Sequence, residues 1–447
     1  MKIAWCTPFS VRSAIGGVSA LAVDAMRREP HTEVDIYYPP GAGGRTWPDS
    51  GRSLDEESDE RLAEYDAVVY NIGDHATFHG PILKLSLQVP GMVILHDLSV
   101  VHLVFNSLLA IQDDYFVATM QRWYGDDGRR AALEGLQHRG EWAWRPETVQ
   151  QFPLTEVALE GATSVVTHSE YAADSLTGRY VGEVTVIPLP VDLRPVADTE
   201  VVDLALPEDR LVVLQAGVLN PNKHVPVVLE AIQEAGLADD VHLVICGHAQ
   251  PKELLAVRRL IDSLGLSKTV TVLGEVSDAT LHALRTRADI ATVLRHPCGE
   301  AASAVLAETL GYGIPVVTVD DGCYREAPDE AVVRVQVPPV PEDVGAALRR
   351  WVDDPHLRAR AAEFGRAFVA EHHSPQAYAT DILAALRRTG SARRRAALAA
   401  DLSAIAARAG FGPESSLVDR LAERAHELFG PRPAQLASTI PPGEQTD

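Results

Sequence analysis

Two glutamates, Glu300 and Glu308, stand eight positions apart in HPCGEAASAVLAETLGYGIPVV, residues 296–317, a run that is otherwise mostly small and apolar. Carboxylates accept paired hydrogen bonds from vicinal diols, whereas a packed core helix has no use for them. Inside one helix, eight residues span about 12 Å of rise and roughly 80° of rotation, so the pair would share a face poorly. Pro297 and Gly299 place the helix start just after Glu300. Glu300 then lies in a strand-to-helix turn and Glu308 two turns in, with Gly313 and Pro315 ending the helix. The turn residues Ala301, Ala302 and Ser303 are small enough to admit a ligand to the backbone. Free N–H groups and the helix dipole there favour a phosphate. Hydroxyls at both ends with phosphates between them is the layout of a nucleotide sugar. On these residues alone, a helix-start acid at Glu300 and a solvated Glu308 form an equal reading.

The elements that must position this pair are legible as an alternation. Apolar, β-branched runs (KIAWC, VDIYY, AVVYN, MVILH, SVVTH, VTVIP, then LVVLQAG, HLVICG, VTVLG, DIATVLR, IPVVTV, VVRVQV) alternate with segments of helical period. Continuous apolar strands are buried on both faces, which means parallel sheets between helices. The fold class expected is α/β, as two Rossmann-like, doubly wound domains facing a cleft. Residues 1–192 form the first domain, with a helical insertion over about 98–160, and 208–370 form the second. A helix at 371–390 returns to the first domain, and 391–447 is a helical tail with a disordered end. The Pro- and acid-rich stretch near 191–210 is the boundary. Open sheets of this kind bind ligands beyond the carboxyl ends of their strands, where the glutamate pair falls.

Composition narrows the function. The 447-residue chain has a net charge of −22, which argues against nucleic acid as a partner. No apolar run is long enough to span a membrane, and the N-terminus MKIAWCTPFS reads as a strand, not a signal peptide. Cys6, Cys246, Cys298 and Cys323 are scattered without metal spacing, so a reduced cytoplasmic chain with no metal is expected. The cluster Arg387, Arg388, Arg393, Arg394 and Arg395 opposes the global charge. It reads first as a solvated helix face, second as a partner contact, and last as a peripheral contact with anionic lipid.

The ordered motifs resemble a family. GEAASAVLAE followed by LGYGIPVVTVDDGCYREAP is similar to the E-x7-E signature of retaining GT-B glycosyltransferases of the family-four type. QAGVLNPNKHVPVVLEAI, LVICG, VTVLGEVSDATLHALRTRADI and VLRHPCGE follow the same pattern, as do GGVSALAVDAM, YNIGDHATFHG, VILHDLSVVH and VVTHSEYAADSL towards the N-terminus. The resemblance covers roughly residues 1–388. It implies transfer of a hexose from a UDP- or GDP-linked donor, a substrate and not a cofactor, with retention and without a metal. The acceptor is unspecified, whether glycan, lipid-linked or small molecule, as is the oligomeric state. In the roles it implies, Glu300 and His96 face the donor sugar, Lys223 neutralises the diphosphate and Glu308 binds the ribose. Gly217, Ala301, Ala302, Ser303 and Val276 line the donor site. Gly16 and Gly17 bring backbone N–H groups to a phosphate or acceptor. Read from the residues themselves, Asp74, His75 and His79 form a polar cluster that lines the acceptor site or is a solvated loop. The family's Arg after the first donor-domain glycine is Val218 here, and Arg295 is the candidate substitute. Two rival readings are another GT-B enzyme, an epimerase or phosphorylase, and a non-catalytic scaffold binding a partner through the Arg-rich tail.

Overall fold

The computed structural model describes residues 1–10, 13–41, 51–55, 58–109, 113–138, 142, 145–193, 204–390 and 420. The tail read at 391–447, apart from residue 420, and the arginines at 393–395 lie outside the described residues. Seven strands form the first sheet: β1 (Lys2–Cys6), β2 (Glu33–Tyr38), β3 (Arg52–Ser53), β4 (Ala67–Ile72), β5 (Gly91–Leu95), β6 (Ala162–Thr167) and β7 (Glu183–Val186). Six form the second: β8 (Leu211–Ala216), β9 (Val241–Cys246), β10 (Val270–Gly274), β11 (Ile290–Val293), β12 (Val316–Val319) and β13 (Val332–Val335). Every pairing is parallel. The orders are β3-β2-β1-β4-β5-β6-β7 and β10-β9-β8-β11-β12-β13. The α/β class and its two doubly wound sheets are as the alternation predicts. Each apolar run read as a strand is one. The short edge strand β3 carries no apolar signal in sequence, since Arg52–Ser53 is exposed.

Alternation within the strands decides what covers each face. In the first sheet Ile3, Trp5, Val69, Ile94 and Val166 face one side, and Ala4, Cys6, Val68, Tyr70, Val93, Leu95 and Val165 face the other. The first side is covered by the helix over residues 375–390, through Tyr378, Ile382, Leu383 and Leu386. The second side is covered by the helices inserted between β5 and β6, through Phe105, Phe116, Met120 and Trp142. The chain therefore leaves the first sheet, builds the second and returns. The two crossings lie side by side: the Val191 N–H donates to His373 O at 2.9 Å, and His373 Nδ1 lies 2.7 Å from Leu189 O. Among the described residues no helix is long and apolar enough to cross a membrane.

In both sheets the strand order reverses at one point, between β1 and β4 and between β8 and β11. Crossovers leave in opposite directions there and open a crevice at the carboxyl ends. Gly217 and Lys223 follow β8, and Arg295 and Glu300 follow β11. On the other side, Gly16 and Gly17 follow β1, and Asp74 and His75 follow β4.

One expectation is corrected. Gly16 and Gly17 belong to the first turn of the helix Ala14–Arg27, not to an open loop. The Gly16 N–H donates to the N-cap Ser13 Oγ at 3.0 Å and the Gly17 N–H to Ser13 O at 3.1 Å, so neither is free for a phosphate. Gly16 answers a packing need: a Cβ there would lie 2.3 Å from Pro8 O. Gly16→Ala should therefore cost about 1–3 kcal/mol through forced backbone shifts, measured as a lower urea midpoint. An unchanged midpoint would remove the close approach as the reason for glycine.

Candidate active site

Lys223 ends the one-turn 3-10 helix Pro221–Lys223, and its side chain folds back under β8. The residue is only 5% exposed. Its Nζ lies 3.4 Å from Ala216 O, and a Cβ on Gly217, which has φ +109°, would sit 2.4 Å from that nitrogen. Gly217 thus gives the ammonium room. Among the described residues no carboxylate lies within ion-pair distance of Lys223. Burial, and then the neighbouring Arg295 cation, pull its pKa down from 10.5 to about 7, against smaller opposing pulls from Glu300 and Cys246. The loop is held to its neighbour by His296 N–H donating to Asn222 O at 3.1 Å and by His224 Nε2, 3.0 Å from His296 O.

The loop after β11 is clasped by the first domain. Gly299 O accepts from the Leu98 and Ser99 N–H groups at 2.8 and 3.2 Å, and the Ala301 N–H donates to His96 O at 2.9 Å. The Ser169 hydroxyl donates to Ala301 O at 2.6 Å. Two expectations change as a result. The helix begins at Ala304, not just after Glu300, with Ser303 as its N-cap accepting from the Leu306 N–H. The dipole therefore starts beyond Ala302 and Ser303. Ala301 is fully buried in the first domain's core, with its N–H used, and does not line a donor pocket.

Glu300, between these anchors, is held by Arg295 in an ion pair and by the Tyr324 hydroxyl at 2.7 Å. Arg295 is mostly buried; burial works against its charge, but Glu300, Tyr324 and Asp97 outweigh it and raise its pKa. Its first partner is thus a carboxylate, with the Lys223 cation close by. Tyr324 lies 24 residues from Glu300 in sequence, and nothing in its setting advertises the contact.

From the first domain come His96 and Asp97. The His96 ring is 4.9 Å from that of His168, and its Nε2 is 3.0 Å from Asn71 Oδ1. Burial, then His168 and His79, hold its pKa well below the usual range, so the ring is neutral. Asp97 adjoins His96 and carries no motif signal of its own. It pairs through its backbone with Glu300, and its carboxylate accepts from the Asp74 N–H at 2.7 Å. Burial, then Asp74, raise its pKa to about 7, with Glu300 adding a smaller push and Arg295 opposing.

The remaining expected residues divide. Asp74 binds His102 Nδ1 and the Leu103 N–H, anchoring the inserted helices. That corrects its reading as an acceptor-site group. His75 is exposed and stacks on Phe78 with centroids 4.5 Å apart. Glu308, inside its helix as expected, is ion-paired to Arg285, which also lies 5.7 Å from the centre of the Tyr312 ring. Val276 packs beyond β10 against the small cluster of Val212, Leu214, Val244, Cys246 and Leu284. A cavity of about 250 Å³ lies behind the loop, between His168, Pro188, Ala302, Leu306, Glu326 and Phe368. None of Lys223, Arg295, Glu300, Glu308 or His96 lines it, so this cavity is distinct from the charged crevice. Among the described residues no three His, Cys, Asp or Glu side chains gather as a metal site requires.

Residues 196–395 match the family described as Glycosyl transferases group 1. That stretch is a little under half the chain and holds the second sheet, Lys223 and both glutamates. The chain is 28% identical over 220 residues to "MMP alpha-(1->4)-mannosyltransferase" of Mycolicibacterium hassiacum, covering 48% of this chain and 51% of the relative. It is 28% identical over 148 residues to "Alpha-1,3/1,6-mannosyltransferase ALG2" of Homo sapiens, covering 31% and 34%. The chain thus spans about half or less of the length of these relatives. The structure of Anabaena Alr3699/HepE in complex with UDP and glucose superposes with a TM-score of 0.60 over 87% of this chain and 100% of that one, at 14% identity. The fold is therefore that of GT-B glycosyltransferases.

Lys223 gives the group 1 segment a measurable signature. Between pH 7 and 10.5 the unfolded chain holds a proton that the folded site has shed, so the folded state gains stability as pH rises through that window. The penalty is fully present below about pH 7. Lys223→Met should therefore stabilise the ligand-free protein by about 2–4 kcal/mol at pH 6 and by much less at pH 10, read from urea unfolding at both values. A gain independent of pH would show that Lys223 is not desolvated.

Proposed function

We propose that this chain transfers a hexosyl group, with mannose the first sugar to test, from a UDP- or GDP-linked donor to a hydroxyl acceptor, with retention at the anomeric carbon. The observation that carries this reading is the buried Lys223 ammonium, without a carboxylate partner among the described residues, beside Arg295 and beneath the bare backbone of Gly217. Two like charges held together out of water oppose each other, and a diphosphate relieves that repulsion. The match to group 1 glycosyl transferases over 196–395 and the mannosyltransferase relatives support it.

In the reaction the anomeric C–O bond to the diphosphate breaks and a C–O bond to the acceptor oxygen forms on the same face. The acceptor's proton passes to the leaving phosphate oxygen. Lys223 and Arg295 stabilise the charge that builds on the diphosphate, the task for which prearranged charges in a partly dry site are strongest. In this reading the two cations do the work a metal would otherwise do, with Arg295, released from Glu300, as the candidate substitute for the arginine replaced by Val218. Glu300 accepts hydroxyls of the sugar and Glu308 those of the ribose, each loosening its present arginine partner. Neutral His96 and Asp97 face the sugar from the opposite domain.

A thermal-shift panel with UDP, GDP and ADP tests the donor site. UDP or GDP should raise the melting temperature, since a ligand of the folded state alone stabilises it. Lys223→Met should abolish the rise, and Glu308→Ala should weaken binding by about 1–3 kcal/mol. No shift with any nucleotide would sink the reading. With a competent acceptor, turnover should persist in chelator and the product's anomeric proton should report retention by NMR. An inverted product would overturn the stereochemical part.

A further inference from the structure

Two of the four cysteines lie against each other beside Glu300. Cys298 Sγ and Cys323 Sγ are 3.8 Å apart, and both are free thiols. Cys298 stands in the clasped loop, partly exposed, with its sulfur 3.7 Å from Glu300 O. Cys323 is buried in the turn Gly322–Glu326, next to Tyr324, the residue that donates to Glu300. Gly322 lies between them: a Cβ there would be 2.5 Å from Cys298 Sγ and 2.6 Å from Cys298 Cβ, at a φ of +50°. Bare backbone at 322 therefore lets the Cys298 side chain lie against the turn and meet the next residue's sulfur. The Asp321 carboxylate fixes the other end of the loop, accepting from the Cys298 N–H at 3.2 Å and meeting His296 Nδ1 at 2.7 Å. Cys6 and Cys246 lie buried elsewhere, in separate core clusters.

We propose that Cys298 and Cys323 are a dithiol modification site that a low-molecular-weight disulfide converts into an intramolecular disulfide, and that the closure lowers nucleotide-sugar binding at Glu300. The second half rests on the function proposed above; the first does not. The partly exposed Cys298 thiolate attacks the small disulfide, forming a mixed disulfide and releasing one thiolate. The Cys323 thiolate then attacks the Cys298 sulfur and displaces the second. The protein's two S–H bonds are lost, one S–S bond forms, and the small disulfide is reduced by two electrons to two thiols that carry the protons. The Cys323 thiol has its pKa raised first by its hydrogen bond to Cys298 and then by burial, and the mixed disulfide removes the first of these restraints. Bond formation must draw the sulfurs together from 3.8 Å. Cys323 is set in the second domain's core, so the movement falls on the loop carrying Glu300. A displacement of about 1 Å at a positioned group is enough to cost up to 10²-fold.

The full chain should be incubated with oxidised glutathione, freed of it, alkylated, and examined by intact mass and peptide mapping. The expected result is two fewer alkylated thiols and a peptide pair joining Cys298 to Cys323, absent in Cys298→Ser and Cys323→Ser. A lasting glutathione adduct on Cys298 without the cross-link, or no reaction at either thiol, overturns the site. The hexose-linked form of whichever nucleotide stabilises the reduced protein should then bind about tenfold or more weakly after oxidation. Dithiothreitol should restore it, and Cys298→Ser exposed to the same oxidant should be unaffected. Equal affinity in both redox forms overturns the regulatory half. A cross-link in a protein that no nucleotide stabilises in either form upholds the dithiol site and overturns the donor-binding reading on which the regulatory half stands.

Discussion

The site depends on a backbone clasp between two domains. Gly299 O and the Ala301 N–H are bonded to residues 96–99 of the first domain, and the Ala301 methyl is buried in that domain's core. A loop of the second domain is thereby finished by the first. Glu300 sits between the two anchored residues, so any shift of this loop strains its backbone hydrogen bonds to the first domain. Arg295, Tyr324 and Asp97 are positioned by reference to it.

That arrangement explains what could be read from the residues and what could not. Strands such as Val241–Cys246 are short apolar runs, and their burial on both faces follows from composition. The reversal of strand order, and with it the place of Gly217, Lys223, Arg295 and Glu300, follows from two doubly wound sheets. Ala301 could not be placed, because a small residue after a turn looks the same whether a ligand or another domain covers it. Nor could the start of the helix be set to the residue: Ser303 is a better N-cap than Glu300, but Pro297 and Gly299 drew attention upstream. The partners of Glu300 and Glu308, namely Tyr324 at 24 residues and Arg285 at 23, are set by tertiary packing with no local signal.

Charge in the crevice is arranged against its own immediate stability. Lys223 lies buried near Arg295, while Asp97 lies near Asp74 and Glu300. Cation against cation and carboxylate against carboxylate raise the energy of the unliganded protein, and Arg295 with Glu300 is the link that keeps the two groups together. Such opposition is bearable because the strands on either side are fully packed. It leaves the crevice with protonation states that respond to whatever enters it.

The return of residues 375–390 to the first sheet has a consequence for the order in which the molecule is made. Tyr378, Ile382, Leu383 and Leu386 cover the face that carries Ile3, Trp5 and Ile94. During synthesis the part of that face beside the helix Ala14–Arg27, which already packs on it, stays uncovered until the whole of the second sheet has emerged. The first domain to begin is thus the last to finish, and a chain halted anywhere before residue 375 leaves an apolar sheet without its lid. The adjacent crossings at Val191 and His373 then act as a double strap. They tie the two halves together along a single line, away from the clasp at the site.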